Sequence, residues 1–213
     1  VSMRNIPVFT TENGVASLIL KEIPYRSTAY IKIQDTSEPI AFLKECCDFC
    51  RGLGAAKIFA SGKGLDAYPL HTSVCMLQRK REDFPVTDAL LVPVQRETLE
   101  HWRQIYNQRM ENVPNSSYMT VFDGEKMLQD KNGYFAYRND ELIGIGMASG
   151  SRIYAVASVV SGTGQDVLAA LNSVLTGQMI EVEAATANIP AMRLYTRLGF
   201  SQVAELSRWY RIL

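Results

Sequence analysis

The sequence predicts a mixed α+β fold, and three stretches carry that prediction. Two period-2 runs, "GYFAYR" and "ELIGIGMAS", are joined by the dipeptide "ND", which marks an antiparallel hairpin. Leu99, Trp102, Tyr106 and Met110 fall on one stripe of an amphipathic helix that Pro114 closes. A strand-like run, "RIYAVASVV", enters the glycine loop "SGTG", and a helical run and the strand "MIEVEAA" follow. Hairpin strands together with a strand-loop-helix-strand unit give a sheet of mixed direction.

The first part of the chain reads as strands "ASLILKEI" and "TAYIKIQ", a helix over 39–51, and strands "AKIFAS" and "TSVCMLQRK". Pro39 suits the first helical position and Gly52 the stop. The run 79–87, "RKREDFPVT", is charged, lacks a period and contains Pro85, so it reads as a linker. Domains are therefore expected at 1–84 and 85–213. The second part continues with "LLVPV", the amphipathic helix, a shorter helix over 117–128, the three strands, the glycine loop, a helix in "QDVLAALNSVLTG", a strand, the helix of "ANIPAMRLYTRLGF" and the final strand "SQVAELSRWYRIL".

Composition narrows the function. With 47% apolar and 21% charged residues among 213, the chain has an ordinary globular balance. Basic and acidic residues cancel at 22 each. Up to Thr87 there are 11 basic and 9 acidic residues, which leaves 11 and 13 beyond it. Neither part is a basic domain, so nucleic acid and membrane surfaces are not expected partners. No apolar run reaches membrane-spanning length and no charged-then-apolar export signal opens the sequence, so a cytoplasmic location is expected and the sequon at Asn115 carries no meaning.

Cys46, Cys47 and Cys50 invite a zinc or redox reading. Zinc needs a second ligand pair, and His71 and His101 stand at no recognisable spacing, so no metal is expected. Of these, Cys47 and Cys50 fall with Ile40 and Leu43 on one helical face, where a thiol serves as a small apolar group.

A glycine loop that opens a helix offers unpaired backbone N–H groups to a phosphate, although a lone G-x-G is often only a turn. Gly162 and Gly164, with Glu181 and Glu183 on the next strand, imitate a dinucleotide fingerprint. Val167 occupies the third glycine position, however, and only about one more strand-helix unit follows, too little for a Rossmann sheet.

The pairing of "VVSGTGQDVLAAL" with "EVEAATANIPAMRLYTRLGF" resembles the GNAT family of acyl-CoA N-acyltransferases, whose pattern N-x-x-A-x-x-L-Y-x-x-x-G-F is filled by Asn188, Ala191, Leu194, Tyr195, Gly199 and Phe200. The resemblance covers roughly residues 88–213. It implies a central mixed, mostly antiparallel sheet flanked by helices, with acetyl-CoA as cosubstrate. It implies that Ser161, Gly162, Thr163, Gly164 and Gln165 wrap the pyrophosphate, that backbone groups of Val159 and Val160 pair with the pantetheine, and that Asn188 touches the cofactor arm. Tyr195 would be the general acid that protonates the departing thiolate. The acceptor would be an amine of a small molecule or peptide. A plainer role for Tyr195 is packing, and for Asn188 helix capping.

This chain departs from the family pattern at the loop. It begins without Gln or Arg, and Asp166 stands at the closing position, facing two phosphates. The first part follows the order of a GNAT domain's latter half and reads as a partial, degenerate copy, in which "QDTSEPI" carries Asp35 and Glu38 in place of a phosphate loop and "RGLG" is a helix stop. Glu181 and Glu183 are candidate general bases; Tyr106, Tyr118 and Phe122 are candidate pocket-lining residues. Two functions are therefore expected: an N-acetyltransferase, or a catalytically weak or inactive acyl-CoA-binding or assembly module of the same fold.

Overall fold

The computed structural model describes residues 6–213. The chain divides into two compact units, one made of the residues up to Val74 with Leu206–Leu213, the other of Cys75–Glu205.

In the first unit, strands β1 (Val8–Thr11), β2 (Gly14–Ile19) and β3 (Thr28–Thr36) form an antiparallel meander, and β4 (Lys57–Ser61) lies parallel to β3. Helix α1 (Ile23–Arg26) is one turn between β2 and β3. A parallel step needs a crossover, which α2 (Pro39–Gly52) supplies. The end of β11 (Ser201–Arg211) adds antiparallel to β4, with Arg211 opposite Phe59 and Tyr210 opposite Ala60. Leu18, Ile31, Ile58 and Ala60 bury one sheet face against Phe42, Leu43, Cys46, Cys47 and Cys50 of α2. Burial pushes the Cys46 thiol up to about 12 and the Cys50 thiol to about 11, so both are small apolar residues with no thiolate at neutral pH. Among the described residues, no group of three or more His, Cys, Asp or Glu could hold a metal ion.

Three details depart from the sequence reading. Ile40, expected in the α2 core face, is 77% exposed, because the buried face runs through Phe42, Cys46 and Cys50. The strand expected over 16–23 ends at Ile19, where Pro24 favours the single turn of α1. Residues 79–87 are not a free linker. They are the end of β5 (Leu70–Lys80), a 3-10 turn over Arg81–Asp83 and a short extended run. The Arg79 guanidinium donates to the carbonyls of Leu198 and Asp83 and lies over the Phe84 ring at 4.3 Å, and the Arg81 N–H donates to the Gln178 carbonyl. The "RGLG" stop is as expected: Gly54 takes φ +94°, and the Ala55 N–H closes on the Cys50 carbonyl.

In the second unit, β6 (Leu90–Pro93), β7 (Gly133–Arg138), β8 (Glu141–Ser149) and β9 (Arg152–Ser158) are consecutive antiparallel neighbours. Strand β10 (Met179–Ala185) lies parallel to β9 after the crossover helix α5 (Gly164–Asn172), and β5 lies beyond β10. Helices α3 (Leu99–Met110) and α4 (Val121–Asp130) cover one face, where Trp102 is fully buried against Phe135, Ile145 and Ala157 and donates its indole N–H to the Tyr134 carbonyl. The other face packs Ala136, Ala148 and Ile153 against Val167, Leu168 and Leu171 of α5 and against α6 (Ile189–Arg197). No helix among the described residues is long and apolar enough to cross a membrane.

The two units share a plan. An antiparallel pair, a crossover helix and a parallel strand recur as β2-β3-α2-β4 and as β8-β9-α5-β10. Each is completed from the other end of the sequence, β4 by the end of β11 and β10 by β5.

Two glycines of β8 set the distance between sheet and α5. A Cβ on Gly144 would lie 2.5 Å from Val167 and 2.7 Å from the Ala157 carbonyl, and one on Gly146 would lie 2.5 Å from Leu171. Gly144→Ala should therefore destabilise the fold by about 1–3 kcal/mol through overpacking. Gly52→Ala, in the last turn of α2 with nothing within 4 Å, should be neutral or stabilise by up to about 1 kcal/mol. Urea unfolding of both variants, read as a shift in midpoint at constant slope, checks the contrast.

Candidate active site

Strands β9 and β10 pair at only two positions, Arg152 with Glu181 and Ile153 with Val182. Beyond Ile153, β9 keeps β8 on one side and has no β10 partner on the other, so the parallel pair opens toward its C-terminal end. Ligands of α/β units bind where neighbouring strands part at their carboxyl ends. Into this opening lead the loop after β9, the start of α5 and, through Asn188, the start of α6. The antiparallel order of β6 to β9 also excludes the dinucleotide-binding alternative.

The loop is built from side-chain bonds to its own backbone. Strand β9 ends at Ser158, two residues earlier than its β-branched run suggests. Val159 and Val160 both donate their N–H groups to the Ile143 carbonyl, at 2.8 and 3.4 Å. The buried Thr163 hydroxyl lies 2.9 Å from the Ile143 carbonyl and 2.9 Å from that of Val160, which fixes the bend. Exposed Ser161 and Gly162 form its tip. Gly162 takes φ +87°, a conformation that side chains disfavour, and a Cβ there would meet nothing within 4 Å, so the tip is open. Gly164 has a different reason. A Cβ on it would lie 2.8 Å from Leu194, so its bareness lets the start of α5 touch α6 beside Tyr195. Gln165 follows, half-buried, in the first turn, whose N–H groups have no partners within the helix.

Helix α6 begins at Asn188, whose side-chain oxygen accepts the Ala191 N–H at 3.4 Å and caps the helix; its amide NH₂ remains available to donate. The helix ends at Gly199 (φ +78°), and the Phe200 N–H returns to the Tyr195 carbonyl. The Tyr195 ring is buried, edge-on to Phe200 at 5.4 Å, in the core that also holds Val182, Leu198 and Val167. Burial alone pushes its phenol above the ordinary tyrosine range, and it stays protonated well past neutral pH.

Two arginines that sequence reasoning passed over meet the loop. Arg138, at the end of β7, holds Asp166 at 2.9 Å, and Thr87 donates to the other carboxylate oxygen at 3.4 Å. The expectation that Asp166 presents a bare negative charge to the loop is thus corrected, because a cation 28 positions away neutralises it. Arg109, near the end of α3, donates to the Val159 carbonyl at 2.8 Å. All four backbone groups of Val159 and Val160 are therefore engaged within the chain, and a ligand would have to exchange these bonds. Neither arginine has a local signal, since each acts across a distance that no spacing rule spans.

Glu181 and Glu183 share Arg152, at 3.6 and 3.4 Å, and Glu181 also accepts from Gln78. Tyr106 stacks on Trp102 at 5.4 Å within the α3 core, whereas Phe122 is 77% exposed and Tyr118 half-buried.

No protein-family model matches the chain, and no curated protein matches it. Solved structures do. A conserved protein of unknown function from Staphylococcus epidermidis superposes with TM-score 0.63 at 12% identity over 97% of this chain and 93% of its own. The GCN5-related N-acetyltransferase from Sphaerobacter thermophilus gives 0.57 at 11% identity over 92% and 75%. An acetyltransferase candidate from Pyrococcus horikoshii gives 0.59 at 12% over 94% and 69%. Likeness that runs through both units at identities this low is likeness of architecture, and the chain has the fold of the GNAT N-acetyltransferases, with a partial version of it in the first unit.

Proposed function

We propose that the chain is an acyl-CoA-dependent N-acyltransferase that moves an acetyl group from acetyl-CoA to an amine of a small molecule or peptide. The observation that carries this reading is the parting of β9 and β10 after two paired residues, beside an open glycine loop and the helix of Tyr195. Acetyl-CoA fits the residues there. The tip at Gly162 is open, the first turn of α5 offers N–H donors to phosphates, and Asp166 is neutralised by Arg138. Gly162, Thr163, Gly164 and Gln165 would hold the pyrophosphate with Ser161, and Asn188 would donate to the arm. In the reaction the amine nitrogen bonds to the thioester carbonyl carbon, the C–S bond breaks, and the thiolate takes a proton from Tyr195. The amine's proton goes to water, and the Tyr195 phenolate takes a proton back from water.

One observation favours a second reading, a weak or inactive acyl-CoA-binding or assembly module. A phenol of pKa about 10 is already about 1.5 units above a thiol near 8.5, an uphill transfer of about 2 kcal/mol, and burial of Tyr195 adds to that. Catalysis by Tyr195 thus requires that the bound thioester replace part of its apolar surroundings.

Thiol release from acetyl-CoA over an amine library separates the two readings. For an active enzyme, Tyr195→Phe should lower turnover about 10- to 1000-fold and leave acetyl-CoA affinity within a few-fold. Unchanged turnover in that variant would remove Tyr195 from the mechanism.

The loop has its own test. With Asp166 about 7 Å from a phosphate, repulsion of about 0.6 kcal/mol in water-like surroundings rises to about 2.4 kcal/mol at an effective dielectric near 20, and Arg138 offsets part of it. Asp166→Asn leaves the arginine to the phosphates and should tighten CoA about 3- to 10-fold, the gain shrinking as salt rises. Arg138→Gln should weaken CoA instead. The CoA dissociation constants at low and moderate salt decide; equal affinities would place the phosphates elsewhere.

A further inference from the structure

The first unit carries a cavity of ≈ 350 Å³ lined by Lys57, Phe59, His71 and Arg211. Strand geometry explains the convergence. Lys57 and Phe59 are two residues apart on β4 and share a face, opposite the one that packs on α2. Arg211 is the register partner of Phe59 across the β4–β11 ladder, so it shares that face too. From β5, His71 lays its imidazole on the Phe59 ring at 4.2 Å and 29°, and Tyr30 stacks on Phe59 at 5.4 Å. The result is an aromatic wall with two cations at its rim.

Among the described residues these cations have no ion pair of their own, unlike several elsewhere in the chain. Lys44 and Arg51 pair with Asp48, Arg26 with Glu22, Arg138 with Asp166, and Arg152 with Glu181 and Glu183. Among the described residues the Lys57 ammonium and the Arg211 guanidinium meet no carboxylate within ion-pair distance. Burial and the neighbouring Arg211 hold the His71 imidazole below its usual range, so at neutral pH it is an uncharged ring with one donor and one acceptor. Two like charges beside one aromatic wall repel each other, and their convergence suits an anion.

We infer that this cavity is a binding site for a small phosphomonoester, independent of the acyl-CoA opening. Charge selects the class: two fixed cations balance a phosphate dianion, whereas a carboxylate would leave one over. The guanidinium fork donates to two phosphate oxygens, the ammonium acts as a point charge on the third, and the neutral imidazole adds a directional N–H. Size selects an ester over the bare ion, because ≈ 350 Å³ is on the order of ten waters at about 30 Å³ each. The Phe59 and His71 edges supply an apolar wall for the organic group.

Titration calorimetry of the whole chain with hexose 6-phosphate, inorganic phosphate and the unphosphorylated hexose tests the site. The ester should bind one per chain with a dissociation constant of about 10 µM to 1 mM, inorganic phosphate several-fold more weakly, and the hexose not at all. Lys57→Met and Arg211→Gln should each weaken the ester about 10-fold or more, while Lys57→Arg retains most of the affinity. Lys44→Met, which removes an equal charge from the α2 side, should leave binding within two-fold. Far-UV circular dichroism confirms that each variant is folded. Absence of saturable binding up to about 10 mM, equal affinity for phosphate and ester, or equal weakening by Lys44→Met would overturn the proposal. Acetyl-CoA affinity should be the same in Lys57→Met as in the parent chain, which separates failure here from failure of the acyltransferase reading.

Discussion

The close seating of α5 on β8 is the constraint on which the second unit depends. Gly144 and Gly146 remove two side chains from the sheet surface, and Val167 and Leu171 fill the space. With the helix drawn that near, the chain leaving β9 must turn at once, and Thr163 ties the turn to Ile143 and Val160. The start of α5 then faces the place where β10 leaves β9, and bare Gly164 admits Leu194 of α6. Loop, strand opening and Tyr195 helix are three consequences of one packing distance. Interiors packed to crystal-like density pass such a constraint from one element to the next.

Much of this was legible in the sequence because it is local. The alternation in "GYFAYR" and "ELIGIGMAS" became β7 and β8, and the stripe through Leu99 and Trp102 became the buried face of α3. The capping Asn188 and the αL stop at Gly199 bound α6 in the way their residue types favour. What escaped is non-local. Asp166 has an ordinary helix-start composition around it, and nothing nearby announces Arg138 as its partner. Val159 and Val160 look like strand because they are β-branched, yet tertiary bonds to Ile143 bend them out of β9. The charges of 79–87 read as solvated linker, whereas Arg79 is buried and bonded to two carbonyls. Ile40 shows the limit from the other side: one apolar residue on a helix is no evidence of burial.

The two units use one plan with different fillings. In the second, small residues on β8 and a glycine turn ahead of α5 leave an opening after β9. In the first, β3 and β4 stay paired in register from Thr28/Lys57 to Lys32/Ser61, so no such opening forms, and Asp35 near the end of β3 and Glu38 just before α2 stand where the other unit has glycines. A closed parallel pair keeps the sheet but gives up the cleft. Whatever chemistry the first unit has must then come from a sheet face, which is where its unpaired cations lie.

The completion of each unit by a strand from the far end of the sequence has a consequence for how the chain is made. During synthesis β4 emerges with one edge satisfied by β3 and the other bare, and its partner, Leu206–Leu213, is translated long after it. At about 5–20 residues per second the wait is on the order of ten seconds or more, during which an extended edge with free N–H and C=O groups is available to other chains. Lys57 at the start of that edge is the kind of charge that discourages such pairing. Closure over so long a stretch of sequence also places the final ladder late in folding, when entropy has already been spent on both cores. Leu206–Leu213 thus act as the fastener of a unit whose other strands are made long before them.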